Sequence, residues 1–174
     1  GWKLLQALDI KPEVCHMKKG HAAFLILERD CNFMKVTGTS FEEALAVTRA
    51  GKLFTTHTAV AAGFDHFSPV LMEQYFSAYA KDELHISFNE LMALGRQNAN
   101  NSSESFNMAY LAIHGSGSVN GVSSLHGSES RHLFQPLFER WPTPELPIGS
   151  VTNGVHMPRW DSEFADQLWT EAGG

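Results

Sequence analysis

Apolar positions along the chain recur in two periods, and the alternation between them sets the expected architecture. Phe24, Leu27, Cys31 and Met34 keep helical spacing after Gly20. Phe41, Ala44, Leu45 and Thr48 do the same behind a capping box, Ser40-Phe41-Glu42-Glu43, until Gly51 stops the run. Met72, Tyr75, Phe76 and Tyr79 share one face of a helix that Ser68 caps and Pro69 opens. A second capping box, Ser87 to Glu90, starts a short helix ending near Gly95. The spacing of Phe106, Ala109, Tyr110 and Ile113 predicts another, with Asn101 and Glu104 as its cap, broken by Gly115 to Ser118. A further helix is expected from about Ser123 to Phe138. Residues 2–8 read as a short first helix that Pro12 keeps from continuing, and Ser162 caps a last one carrying Phe164, Leu168 and Trp169.

Between these segments lie short runs that read as strands: Glu13 to Met17, residues 52–56, Val119 to Val122 as a very short strand or turn, and Ile148 to Thr152. Residues 58–67 and 98–103 read as loops, and Trp141 to Pro147 as a proline-stiffened connector. The alternation predicts one α/β domain with a parallel sheet and helices on both faces, without internal repeat or linker. Parallel strands joined by crossover helices all point one way, so His16, His57, Asn120 and Asn153 are expected along one edge of the sheet.

Composition narrows the partners. At 174 residues and 43% hydrophobic the chain can bury a core of ordinary single-domain size. Thirteen Lys and Arg against nineteen Asp and Glu give a net charge of −6, with no basic run, so neither nucleic acid nor an anionic membrane is the expected partner. No apolar run approaches the roughly 18 residues of a membrane span. Cys15 and Cys31 lie in apolar segments without metal or redox spacing and read as buried thiols of a reducing cytoplasm. The first residues carry neither an initiator Met nor a signal peptide, and are expected to continue something longer.

The nine histidines include no His-Glu-x-x-His pair, so no metal is expected. Gly-x-Ser-x-Gly is absent, and Gly115 to Asn120 misses the dinucleotide pattern at its last position. What remains at the strand ends is amides, hydroxyls and imidazoles with Trp160 nearby, a set that suits a neutral polyhydroxylated ligand. Local sequence alone favours plainer readings, an ordinary turn at Asn153-Gly154 and a hydrogen-bonded strand-end histidine at His57.

Five ordered segments add a resemblance. Gly20-His21-Ala22-Ala23-Phe24, Phe54-Thr55-Thr56-His57-Thr58, Phe106-Asn107-Met108-Ala109, Val119 to Gly127 and Thr152-Asn153-Gly154-Val155-His156 resemble the α-glucan phosphorylases, the glycogen, starch and maltodextrin enzymes, and most of all their shorter bacterial type. The resemblance covers nearly the whole chain. It implies a partial Rossmann-like domain, one half of a two-domain GT-B-type glycosyltransferase, with residues 1–174 in the latter part of the N-terminal domain. It further implies that pyridoxal phosphate is held by a C-terminal domain outside this chain, and that the complete enzyme releases glucose 1-phosphate from α-1,4-glucan with inorganic phosphate. By position, His57 matches the histidine that lines the glucose subsite and helps stabilise charge developing on the sugar, and Asn153 matches an asparagine on a glucose hydroxyl. Val119 matches a residue packed at that subsite, Asp65 lies near an acidic pocket residue, and His21 falls on a motif histidine close by. A homo-oligomer is compatible with the resemblance for the full-length enzyme.

Two departures stand out. Lys18 and Lys19 occupy positions where the family carries an Asn and an acidic residue, and Ala59 and Ala61 replace prolines common in the bacterial enzymes, which frees the backbone of the loop holding Asp65. The isolated chain is therefore expected to bind glucose weakly or not at all. A truncated, non-catalytic glucan-binding or scaffold remnant is the alternative reading.

Overall fold

Local capping signals start most of the helices in the computed structural model, which describes residues 1–173. α1 (Trp2–Ala7) leads to β1 (Cys15–Lys18), a 3-10 turn (Gly20–Ala22) and α2 (Phe24–Thr37), which ends on Gly38 in the left-handed region. α3 (Phe41–Thr48) carries the reciprocal Ser40–Glu43 capping box and delivers the chain into β2 (Lys52–Thr55). β3 (His66–Phe67) precedes α4 (Pro69–Asp82), capped by Ser68, and α5 (Phe88–Ala93), capped reciprocally by Ser87 and Glu90. β4 (Phe106–Asn107), α6 (Met108–Gly115), β5 (Ser118–Gly121), α7 (Ser124–Phe134), β6 (Ile148–Ser150), α8 (Met157–Trp160) and α9 (Glu163–Gly173) complete the order.

Four strands form a parallel sheet in the order β1-β2-β5-β6. Met17, Phe54, Val119 and Ile148 stand in register on one face, and all four belong to the buried core with Ile26, Leu27 and Phe134 from the helices. The other face is unlike the expected two-sided cover. His16 and Lys18 alternate with buried Cys15 and Met17, and His16, Lys18, Ser118 and Gly149 are exposed. That period-two alternation is the pattern of a strand with one wet face.

Two further differences concern the helix α6. Residues 58–67 are not all loop, because His66–Phe67 pairs antiparallel with Phe106–Asn107. Phe106 therefore lies in a strand, and the helix begins two residues later. Its cap is Asn107, whose Oδ1 accepts from Ala109 N at 2.9 Å, while Asn101 Oδ1 instead accepts from Ser103 N at 3.1 Å within its own turn. Glu104 folds back onto the amides of Gln97 and Asn98. Tyr75, expected on the inward face of α4, is 67% exposed, and Met72 and Ala80 are that helix's buried residues. On α9 the cap at Ser162 forms, with Ala165 N donating to its Oγ at 3.2 Å, but Phe164 and Trp169 are 83% and 71% exposed.

At the amino end of β2, Lys52 and Asp30 of α2 make an ion pair at 2.6 Å with both side chains wholly buried, and Thr48 also donates to Asp30. Burial pushes the Asp30 carboxyl up and the Lys52 ammonium down, each opposed by the attraction of its partner. The pair thus closes the amino end of the strands, opposite the end at which the polar residues gather.

Candidate functional site

The carboxyl ends of β1 and β2 each pass directly into polar residues. Lys19 N donates to Thr55 O at 3.0 Å and Thr56 N to Asn120 O at 3.0 Å, so the pairing of the strands continues one step beyond the sheet and fixes the start of each connecting turn. After β1 the chain turns sharply into the 3-10 turn. Lys19 stands at φ 76 and ψ 155, a region that residues with a Cβ rarely occupy and that costs on the order of 1–3 kcal/mol. Gly20 suits the close approach that results, since a Cβ there would lie 3.1 Å from Ala109 N at the start of α6 and would push against it.

From the other side, residues 58–65 return to the same place. Met108 N donates to Asp65 O at 3.0 Å, which ties the loop to the amino end of α6. Together these segments enclose a cavity of about 300 Å³ lined by Lys19, Gly20, His21, His57, Thr58, Gly63, Phe64, Asp65 and Ala109. Its volume is at the lower end for small-molecule sites, and polar groups dominate its wall.

Of the five residues singled out in the sequence, His21, His57 and Asp65 meet in this cavity. Val119 does not line it. It is buried in the sheet between Phe54 and Ile148 in register. Asn153 lies in the exposed run after β6, its N–H donating to Val122 O at 3.3 Å, also outside the cavity. β6 is separated from β2 by β5, which accounts for the distance between Asn153 and the cavity.

Lys19, Thr58 and Phe64 are lining residues that spacing did not flag. Nor did it flag a polar chain across the open face of the sheet. Thr55 Oγ1 donates to Asn120 Oδ1 at 2.9 Å, so His16 Nε2, 2.7 Å from the same hydroxyl, must be the donor to it. His126, at the start of α7, accepts from Val122 N through Nδ1 at 3.3 Å, which leaves its proton on Nε2. That Nε2 is buried without a hydrogen-bond partner among the described residues.

His57 is held below the usual imidazole range, first by partial desolvation and then by the positive potential of Lys19, His126, Lys18 and His16. The neutral form of the ring is therefore favoured. A histidine whose folded pKa is below its unfolded value of about 6.5 supports the fold above that pH and withdraws support as pH falls through it. A proton titration of the His57 ring by NMR is expected to have its midpoint below about 6.5, rising when Lys19 is replaced by Asn. A midpoint above that value in the parent chain would contradict the assignment of these cations as its neighbours.

Among the described residues no group of three or more His, Cys, Asp or Glu side chains could hold a metal ion, and no helix is long and apolar enough to cross a membrane.

Known proteins share much of this sequence. A family model described as carbohydrate phosphorylase matches residues 5–170. The glycogen phosphorylase of Mycobacterium tuberculosis strain H37Rv is 39% identical over 168 residues, which cover 94% of this chain and 19% of that protein. The maltodextrin phosphorylase of Thermococcus litoralis is 36% identical over 160 residues, 92% of this chain and 18% of its own length. The glycogen phosphorylase of Aquifex aeolicus is 30% identical over 168 residues, 97% of this chain and 23% of its own length. The chain thus spans about a fifth of the length of these curated relatives.

Proposed function

The chain belongs to the carbohydrate phosphorylase family, and from that premise we propose that it is a segment of an α-glucan phosphorylase, a glycosyltransferase of carbohydrate metabolism releasing glucose 1-phosphate from α-1,4-glucan with inorganic phosphate. Its share of the work is part of the glucose subsite. The observation that carries this reading is the convergence of His21, His57 and Asp65 on one polar cavity at the carboxyl ends of parallel strands.

The chemistry of the three side chains suits the task. Asp65 accepts hydroxyl protons, and His21 and His57 each donate or accept. A neutral His57 adds no positive charge beside an anomeric carbon where positive charge grows in the transition state, and its ring dipole is available to stabilise it. Asn153 and Val119 belong to this reading as a second contact and a packing residue of the same subsite, reached when the run after β6 and the rest of the cleft are assembled. The fold reading is one wall of a two-domain GT-B cleft, with residues 1–174 in the latter part of the N-terminal domain.

Pyridoxal phosphate, the family's cofactor, does not fit the lysines in this segment. Lys52 is closed on Asp30 in the core, and Lys3, Lys11, Lys18, Lys19, Lys35 and Lys81 are all exposed, so none offers a sheltered amine. The cofactor is assigned to another part of a longer protein, and so is the proton transfer it supplies. The partners are then α-1,4-glucan and phosphate, the compartment is the cytoplasm, and assembly as a homo-oligomer belongs to the longer protein. Identity of 39% across 94% of the chain to a glycogen phosphorylase supports an enzyme segment over a decayed glucan-binding remnant.

Chemical-shift mapping of the isotopically labelled chain with maltoheptaose tests the sugar contact. Weak, non-saturating shifts confined to the neighbourhood of His21, His57 and Asp65 are expected at sugar concentrations of tens of millimolar, on the order of the weakest small-ligand affinities. Tight, saturable binding elsewhere on the surface would instead identify a glucan-binding module.

A further inference from the structure

The open face of the sheet carries a hydrogen-bond chain that runs from β1 to the end of β6. His16 Nε2 lies 2.7 Å from Thr55 Oγ1, Thr55 Oγ1 donates to Asn120 Oδ1 at 2.9 Å, and Asn120 Nδ2 donates to Gly121 O at 3.0 Å. The same carbonyl accepts from Val151 N at 3.0 Å, the first residue after β6 and two before Asn153. The chain therefore joins β1, β2 and β5 to the run that holds Asn153.

Its direction is fixed from one end. A backbone carbonyl can only accept, so Gly121 O takes the Nδ2 end of the Asn120 amide. Oδ1 then faces Thr55, whose hydroxyl must donate its one proton to it, and that leaves His16 as the donor to Thr55. A flipped amide would set Oδ1 against Gly121 O, two acceptors without a proton between them.

Thr55 is the member at which this chain meets the cavity. It is buried, its carbonyl accepts from Lys19 N at 3.0 Å, and it stands two residues before His57; Lys19 and His57 both line the cavity. Thr56 is buried too, its N–H donating to Asn120 O and its hydroxyl accepting from Thr58 N at 3.3 Å. The backbone that delivers His57 is thus tied on one side to the β1 turn and on the other to Asn120. Buried hydrogen bonds of this kind hold one arrangement, because breaking one leaves a donor or acceptor unpaired.

We propose that Thr55 is a positioning residue, whose hydroxyl sets His57 and the run carrying Asn153 relative to each other across the sheet. Valine in its place keeps the shape and removes both bonds, whereas serine keeps both. The inference rests on the sugar-site reading only for its effect on turnover, and the coupling across the sheet stands on the hydrogen bonds alone.

The test has two readouts. In the labelled 174-residue chain, Thr55→Val should shift the amide resonances of Val151 and Asn153 and speed exchange of the Val151 N–H beyond the change in global stability. Thr55→Ser should stay near the parent, and Ser118→Ala, two residues from Asn120 on the same face of β5, should leave these resonances in place. Asn120→Ala, at a half-buried position, cuts the same chain and should reproduce the shifts, which keeps the test open if Thr55→Val does not fold. In the Mycobacterium tuberculosis glycogen phosphorylase carrying residues 5–170 of this chain, Thr55→Val should lower kcat and kcat/KM together by about tenfold or more. Thr55→Ser should restore most of that rate. Unmoved Val151 and Asn153 resonances in Thr55→Val and Asn120→Ala, or equal shifts in Ser118→Ala, overturn the proposal. So does undiminished turnover in Thr55→Val where His57→Ala abolishes it. Coupled resonances with turnover indifferent to His57→Ala uphold the positioning by Thr55 and overturn the sugar-site reading alone.

Discussion

Replacing Lys52 with Met is expected to destabilise the chain by about 3–5 kcal/mol, the cost of leaving a buried carboxylate without its partner. The Asp30 side chain has no exposure, and its Oδ2 already lacks a hydrogen-bond partner among the described residues. Methionine fills most of the lysine volume, so the loss comes from charge and not from a cavity. Removing both charges, Asp30→Leu with Lys52→Met, should recover most of the loss, because a buried ion pair is worth little against well-packed apolar groups. Thr48 keeps the recovery incomplete, since its hydroxyl then loses the carboxylate it donates to. Denaturant unfolding of the parent and the two variants gives both numbers. A Lys52→Met chain within about 1 kcal/mol of the parent would show that Asp30 finds water or another donor, contrary to the geometry.

The second large effect is at Phe106. Its ring is wholly buried, stacked 6.2 Å from Phe24, which itself stacks on Phe76 at 4.5 Å, and Gly95 lies directly on its edge. Phe106→Ala should cost about 3–5 kcal/mol, the range for emptying a closed aromatic site. The consequence extends to the cavity. Phe106 pairs with Phe67 in the β3–β4 bridge, and that bridge holds Asp65 O against Met108 N. Hydrogen exchange at Met108 should therefore accelerate in Phe106→Ala beyond the change in global stability. Equal protection relative to the global value would mean that the Asp65 loop is fixed independently of the aromatic cluster.

These two residues also mark the limit of what local sequence encodes. Capping boxes at Ser40 and Ser87, and the Ser68-Pro69 start, are local: cap and capped amide lie within three residues, so their meaning survives without the fold. Phe106 keeps helical spacing with Ala109, Tyr110 and Ile113 and so reads as helical, while the bridge that claims it joins His66–Phe67 to Phe106–Asn107 across two intervening helices. Lysine is seldom wholly buried, and the contact with Asp30 is what explains the burial of Lys52. At the site, the rule that parallel strands present their carboxyl ends together was enough to bring His57 near the β1 turn, and the resemblance supplied His21 and Asp65. The separation of Asn153 follows from the strand order, which inserts β5 between β2 and β6 and which nothing in the local pattern encodes.

The exposed apolar residues of the last two helices, Trp160 at 78% and Phe164 at 83%, obey the same logic from the other direction. The pattern predicts a helix after Ser162 and the helix forms, with Phe164, Leu168 and Trp169 exposed.

The most direct measurement exchanges this chain's residues 5–170 for the corresponding segment of the Mycobacterium tuberculosis glycogen phosphorylase and follows glucose 1-phosphate release from maltodextrin and phosphate. Turnover within about tenfold of the parent enzyme is predicted, with a loss of roughly 100-fold or more on His57→Ala, the scale of removing one group that stabilises transition-state charge. A folded, cofactor-loaded exchange enzyme without phosphorolysis, or one indifferent to His57→Ala, would contradict the assignment of this cavity to the glucose subsite.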